Sequence, residues 1–156
     1  MAVFRVCRRF VVESGHMLSK HPAACRFPHG HTRTIEVVVA ADSLDANDMV
    51  IEFKALKLAL EPEIERYDHA MAVNSDDPFL ASLGAYPEHA VVVVPGQDPT
   101  TEVLAKRLYD FAAEVLASGF EGRDASGVPY RIPAGRVRLE RVRVWETPSS
   151  WAEVEG

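Results

Sequence analysis

The sequence predicts an α+β fold, a small antiparallel sheet carrying two helices, on three observations. Two β-branched runs, 3–13 and 32–41, read as strands. Two later stretches, beginning near Phe53 and Thr101, repeat apolar residues at three- and four-residue steps and read as helices. The coarse order is ββ(β)αβαβ, and antiparallel strands carrying two helices belong to the α+β class.

Taken in order, Val3 to Glu13 interleaves Val and Phe with Arg, a strand pattern. Ser14 to His31 is a long excursion, because Gly15, Pro22, Pro28 and Gly30 disfavour a regular element. Thr32 to Ala41 is the second strand, Asp42 to Asp48 a turn, and Met49 to Ile51 a short third strand. Phe53, Leu56, Leu60 and Ile64 mark a helix from Phe53 to Tyr67, with a kink or break expected at Pro62. Asp68 to Pro78 reads as a loop and Val91 to Val94 as a short buried strand. Thr100 is the expected N-cap of the second helix, with Glu102 favourable in its first turn. The apolar face of that helix runs from Val103 and Leu104 to Leu116, and Gly119 ends it. Residues 121–135 read as a long surface loop. The last strand, Arg136 to Glu146, changes apolar parity between Leu139 and Val142, which predicts a β-bulge near Glu140-Arg141.

A length of 156 residues fits one domain, taken here as 1–156. No apolar run approaches the roughly 20 residues that span a bilayer, and Arg5, Arg8 and Arg9 interrupt any signal-peptide pattern. The expectation is a cytoplasmic protein without a membrane partner. In that reducing setting Cys7 and Cys25 are expected as free thiols, Cys7 as a small buried hydrophobe within its strand. The formal net charge of −6 repels phosphate polymers, so nucleic acid is not an expected partner. A small anionic substrate would need a local basic pocket. The sheet edges need covering, which favours a homo-oligomer.

His29-Gly30-His31 is the sharpest local signal. On a strand, residues 29 and 31 point to one face, and His16, returning from the first strand, would complete three nitrogen ligands with an open fourth position, the arrangement of catalytic zinc. An isolated His-x-His also arises by chance. Cys25, four residues earlier, reads equally as a ligand, a structural thiol or a reactive thiol; a nearby dication or imidazolium would favour proton transfer. Asp68-His69 is either a polar helix terminus or a carboxylate-supported imidazole. Glu146 is either a solvated strand end or, in a pocket, an acceptor for two parallel N–H groups of an amino-heterocycle. His21 and His89 carry no assigned role.

In order, the chain holds Glu13-Ser-Gly-His16, Cys25-Arg-Phe-Pro-His29-Gly-His31, Val50-Ile-Glu-Phe53, Tyr67-Asp68-His69, Asn74, Pro99-Thr-Thr-Glu102 and Glu146-Thr147. This series resembles the 6-pyruvoyl-tetrahydropterin synthase / 6-carboxy-tetrahydropterin synthase family from about residue 4 to residue 151. The resemblance implies the tunnelling fold (T-fold): a four-stranded antiparallel sheet with two helices on one face, closed by trimers into a barrel, two trimers commonly stacking. It implies zinc as cofactor, held by His16, His29 and His31. It also implies proton transfer by Cys25 of one subunit and by Asp68 and His69 of its neighbour. Glu146 would hold the pterin, with Thr100, Thr101 and Glu102 near the same pocket.

The implied substrate is 7,8-dihydroneopterin triphosphate. The three residues between Cys25 and His29 resemble the bacterial 6-carboxy-tetrahydropterin synthases of queuosine biosynthesis, which act as carbon–carbon lyases. The pyruvoyl-forming enzymes carry a longer spacer, and a folate-linked subgroup has Glu in place of the Cys. A pyruvoyl-type synthase and a non-catalytic metal- or pterin-binding relative are the alternatives. Four departures stand out: Glu52 for the usual Asp, Val73 for Leu, Arg33 at a usually aromatic position, and longer loops at 75–90 and 121–135. Arg33 reads either as a solvated residue at a strand start or, with Lys20 and Arg26, as a basic patch for the triphosphate.

Overall fold

The computed structural model describes residues 2–156. The first two strands are longer than the β-branched runs alone indicate: β1 spans Phe4–His16 and β2 spans His29–Ala41. They pair antiparallel along their full length, Phe4 opposite Ala41 and His16 opposite His29. After α1 (Phe53–Glu65) come β3 (Ala70–Asn74) and β4 (Val91–Val94). Helix α2 (Thr101–Ser118) is followed by the hairpin β5 (Phe120–Arg123) and β6 (Pro129–Ile132), then β7 (Arg138–Thr147) and β8 (Ser150–Glu155).

Strands β1, β2, β7 and β8 form the expected four-stranded antiparallel sheet. Strands β3 and β4 extend it, β3 running parallel to the end of β1 and β4 parallel to β3, so the full order is β4-β3-β1-β2-β7-β8. The parity slip resolves as expected: Val38 lies opposite Arg141 and Val39 opposite Leu139, leaving Glu140 as the extra residue of a bulge. That residue returns Leu139, Val142 and Val144 to one face.

Both helices cover that face. Phe10 and Val12 of β1, Ile35, Val37 and Val39 of β2, and Val142 and Val144 of β7 pack with Leu56, Leu60 and Ile64 of α1 and Leu104, Leu108 and Leu116 of α2. Each such side chain contributes about 1.5–3 kcal/mol through burial, so the core is fixed by the strand and helix periodicities acting together. The opposite face is polar and aromatic. There the buried Glu36 carboxylate accepts from Trp145 Nε1, and Arg143 lies 3.7 Å from the centre of the Trp151 ring.

Several expectations are corrected. Met49 to Ile51 makes no strand; Val50 and Ile51 are simply buried at the entry to α1. The segment 68–78 contains β3, and 121–135 contains most of a hairpin. Helix α1 runs through Pro62 without a break, its buried stripe of Leu56, Leu60 and Ile64 holding it across the missing N–H. Cys7 is exposed, because odd-numbered residues of β1 face away from the helices. Among the described residues no helix is long and apolar enough to cross a membrane.

Candidate metal centre and active site

The register of β1 against β2 builds the site. His16 and His29 are direct partners, Ser14 faces His31, and alternation puts all three imidazoles on the helix-bearing side. Gly30 lies opposite Gly15, and a Cβ on Gly30 would come within 3.2 Å of the Ser14 carbonyl oxygen, so the small residue permits the close strand approach. The ring centres of His16 and His29 are 4.4 Å apart, and His31 lies 5.2 Å from each. One nitrogen from each ring falls within 4.8 Å of the others, a group that could hold a metal ion.

The surroundings prepare the nitrogens for that task. His16 Nδ1 lies 2.8 Å from the Pro99 carbonyl oxygen and His29 Nδ1 2.8 Å from that of Phe27. A carbonyl can only accept, so each Nδ1 carries the proton and each Nε2 keeps its lone pair. His31 Nε2 is buried without a hydrogen-bond partner, as expected of an atom that binds something else. Burial pushes His16 down to about 4, with Arg33 and His29 adding to the effect against the opposing Pro99 bond and Glu146, so it is neutral at pH 7. Burial likewise lowers His31. Three convergent imidazoles, two oriented by backbone carbonyls, fit a zinc-type ion.

Glu146, near the end of β7, enters the same space. Its Oε1 accepts from Thr101 Oγ1 at 2.8 Å and lies 3.7 Å from His16 Nε2 and 3.8 Å from His31 Nε2. Burial alone would raise its carboxyl, but the Thr101 bond and the neighbouring His31, Arg33 and His16 outweigh that and hold it low. Of the expected pocket residues, Thr101 therefore reaches Glu146. Thr100 spends its hydroxyl capping the Val103 N–H, and Glu102 is exposed on the first turn of α2. The anticipated basic patch is not formed by Arg33, whose side chain is 1% exposed and turned into the protein.

Cys25 is half-buried in a short turn, Ala24–Arg26, and is not a member of the compact imidazole group. Asp68 and His69 sit where α1 hands over to β3. Asp68 Oδ1 accepts the Glu13 N–H at 2.8 Å, and Oδ2 lies 2.9 Å from His69 Nδ1. His69 adopts φ 53° in the left-handed region, held by its N–H bond to the Glu13 carbonyl at 2.7 Å. Its imidazole is 79% exposed and lines an open cleft of about 600 Å³ with Pro28, Met71, Phe79 and Tyr86. Among the described residues no hydrogen bond or ion pair joins Cys25 to Asp68 or His69.

The hydrogen bond and charge of Asp68 raise the His69 imidazole, and the Glu13 N–H with the His69 bond lowers Asp68. A raised imidazole favours folding below its unfolded value near 6.5 and loses that contribution as pH climbs through the folded value. By NMR, His69 is expected to titrate above 6.5 and to fall back toward it in Asp68→Asn. An unmoved midpoint would show the pair to be uncoupled.

Two site residues escaped the sequence reading. Pro99 supplies only a backbone oxygen, invisible to side-chain chemistry. Asp98 is buried and accepts from Ser19 Oγ, the Lys20 N–H and Asn74 Nδ2, tying the 17–28 excursion to β3 and the start of α2. Its position next to the Pro99-Thr100 helix entry was the one available signal.

A two-helix α+β sheet whose longest strands end in three convergent imidazoles defines a small protein with a metal-capable site at the strand ends. The chain belongs to the 6-pyruvoyl tetrahydropterin synthase family, whose model matches residues 5–156. A 6-carboxy-5,6,7,8-tetrahydropterin synthase of Aquifex aeolicus is 35% identical over 128 residues, covering 80% of this chain and 72% of the relative. The Rickettsia conorii protein of the same name is 30% identical over 153 residues, 97% of this chain and 100% of the relative. Among solved structures, an uncharacterized protein of Wolinella succinogenes superposes with a TM-score of 0.74 at 21% identity, covering 100% of this chain and 99% of that one. The 6-pyruvoyl tetrahydropterin synthase of Plasmodium falciparum gives 0.69 at 15% identity with the same coverage. These structures share the fold.

Proposed function

We propose that this chain is a 6-carboxy-5,6,7,8-tetrahydropterin synthase. It converts 7,8-dihydroneopterin triphosphate and water into 6-carboxy-5,6,7,8-tetrahydropterin, acetaldehyde and triphosphate, a carbon–carbon lyase reaction, for a 7-deazapurine pathway such as queuosine synthesis. The observation that carries this reading is the convergence of His16, His29 and His31 within 4.8 Å of one another beside the Glu146 carboxylate. Family membership and the two 6-carboxy-type relatives above support the product assignment.

His16, His29 and His31 hold zinc, which when bound supplies a Lewis acid to the hydroxyls of the substrate side chain. Glu146, ionised, accepts the ring N–H and amino hydrogens of the pterin, fixing the ring relative to the imidazoles. Asp68 holds His69 by its Nδ1 and raises its basicity, leaving Nε2 to take or give a proton at the side chain. Cys25 moves a proton from the other side. Because His69 faces an open cleft and has no link to Cys25 within one chain, the working site joins Cys25 of one subunit to the Asp68-His69 pair of its neighbour. The first ten residues of β1 pair on one edge alone, and β8 ends the sheet, so both edges are available to close a ring of copies, a trimer or stacked trimers. No redox cofactor is needed, since the ring gains its electrons from the side chain.

Recognition at Glu146 is the test. Glu146→Gln keeps the shape but replaces half of the acceptor with a donor, and is expected to weaken 7,8-dihydroneopterin binding by about 1–3 kcal/mol in calorimetry. Zinc content stays normal. Unchanged affinity would place the pterin elsewhere.

A further inference from the structure

Arg33 is a fully buried cation that the proposed chemistry does not use. Its Nη1 donates to Thr101 Oγ1 at 2.9 Å, and its Nη2 lies 3.9 Å from Glu146 Oε1. Nη2 also lies 3.2 Å from Nδ1 and 3.5 Å from Nε2 of His16. Since that Nδ1 already donates to Pro99, so nearly equal an approach to both nitrogens places the guanidinium against the ring face and not on a lone pair. Arg33 therefore lies against the imidazole, bonds the hydroxyl and stands within ion-pair distance of the carboxylate.

The directions of the bonds matter. A hydroxyl has one hydrogen. With Arg33 donating to its oxygen, Thr101 is left to aim that hydrogen at Glu146 Oε1, 2.8 Å away. Oε1 is the same oxygen that lies 3.7 and 3.8 Å from two imidazole Nε2 atoms. Ligand atoms about 2.0–2.1 Å from a tetrahedral zinc stand about 3.3–3.4 Å apart. The carboxylate is thus only a few tenths of an ångström beyond ligand spacing from two of the three imidazoles, yet the compact group contains the imidazoles alone. An ionised carboxylate so near a dication would be drawn into the fourth position unless something held it.

We propose that Arg33 and Thr101 form a clamp that holds Glu146 out of the metal's coordination sphere, keeping the fourth position open for substrate and the carboxylate free for the pterin. Arg33 is a positioning residue here, acting through Thr101 and Glu146. The inference rests on the metal reading above but does not depend on which pterin product is formed.

The test uses the full chain with Thr101→Val, which is nearly isosteric, and Arg33→Met, each alone and combined with Glu146→Ala. Zinc affinity is read by chelator competition and coordination by the visible absorption of the cobalt(II) form. Each clamp variant is expected to bind zinc roughly tenfold more tightly, the scale on which outer partners tune a metal site, and to shift the cobalt band. Both changes are expected to vanish in the Glu146→Ala background, because the incoming ligand is gone. Should Arg33→Met fail to fold, Thr101→Val decides alone. Unchanged or weakened zinc affinity with an unshifted band would overturn the clamp, as would tightening that persists without Glu146. A wild-type chain that takes up no cobalt would instead overturn the metal reading, and the clamp with it.

Discussion

Replacing His29 or His31 by alanine is expected to strip zinc from the purified protein. In the proposed site three imidazoles supply every protein ligand, so each lost nitrogen would leave a two-ligand site that competes poorly with buffer and chelator. The affinity loss should exceed the roughly 10–100-fold that follows removal of an outer hydrogen-bond partner. His31 is the more telling position, because its Nε2 is buried with no hydrogen-bond partner and neither of its ring nitrogens makes a bond that alanine would break. Elemental analysis of zinc per subunit, beside a melting curve to show that the sheet persists, reads the result. Full zinc occupancy in both variants would remove the metal assignment.

The second large effect separates holding the metal from moving protons. Cys25→Ala is expected to retain zinc and assembly while turnover falls by roughly 10²–10⁴, the usual cost of a lost general acid or base. The structure motivates the split: Cys25 lies in its own short turn, outside the compact group of ligand atoms. His69→Ala should behave in the same way, its imidazole being exposed at a cleft and outside the compact imidazole group. A Cys25→Ala protein that purified without zinc would make the thiol a ligand.

Strand alternation and helix periodicity carried most of the fold, because the elements they mark are long and have one buried face. Even the bulge at Glu140 was legible, since the jump from Leu139 to Val142 has no other physical resolution in a strand with a buried face. The missed pieces are short or two-sided. Ala70–Asn74 is five residues of small and apolar side chains whose strand character comes from parallel pairing with β1 and β4, a long-range feature. In Ser150–Glu155, Trp151 faces the helix-free side beside Trp145 and Arg143, so the apolar signal pointed nowhere. The extended β1 and β2 ends were hidden by glycines that read as breakers, although Gly15 and Gly30 are paired across the ladder.

The site divides along the same line. His29 and His31 could be paired from spacing because alternation converts sequence distance into a shared face, whereas His16 joins them through the register of β1 against β2, a long-range feature. Asp68 beside His69 was visible as adjacency, and its anchor on the Glu13 N–H was not. Arg33 was misjudged for a physical reason: an arginine at a strand start is ordinarily solvated, and only Thr101 and Glu146, arriving from α2 and β7, make its burial tolerable.

The most direct test is product identity. Purified zinc-loaded protein is incubated with 7,8-dihydroneopterin triphosphate, volatile aldehyde is trapped, and the pterin product is resolved by mass spectrometry. The expected result is 6-carboxy-5,6,7,8-tetrahydropterin with one acetaldehyde and one triphosphate per turnover. Finding 6-pyruvoyl-tetrahydropterin as the sole stable product, with no acetaldehyde, would contradict the assignment.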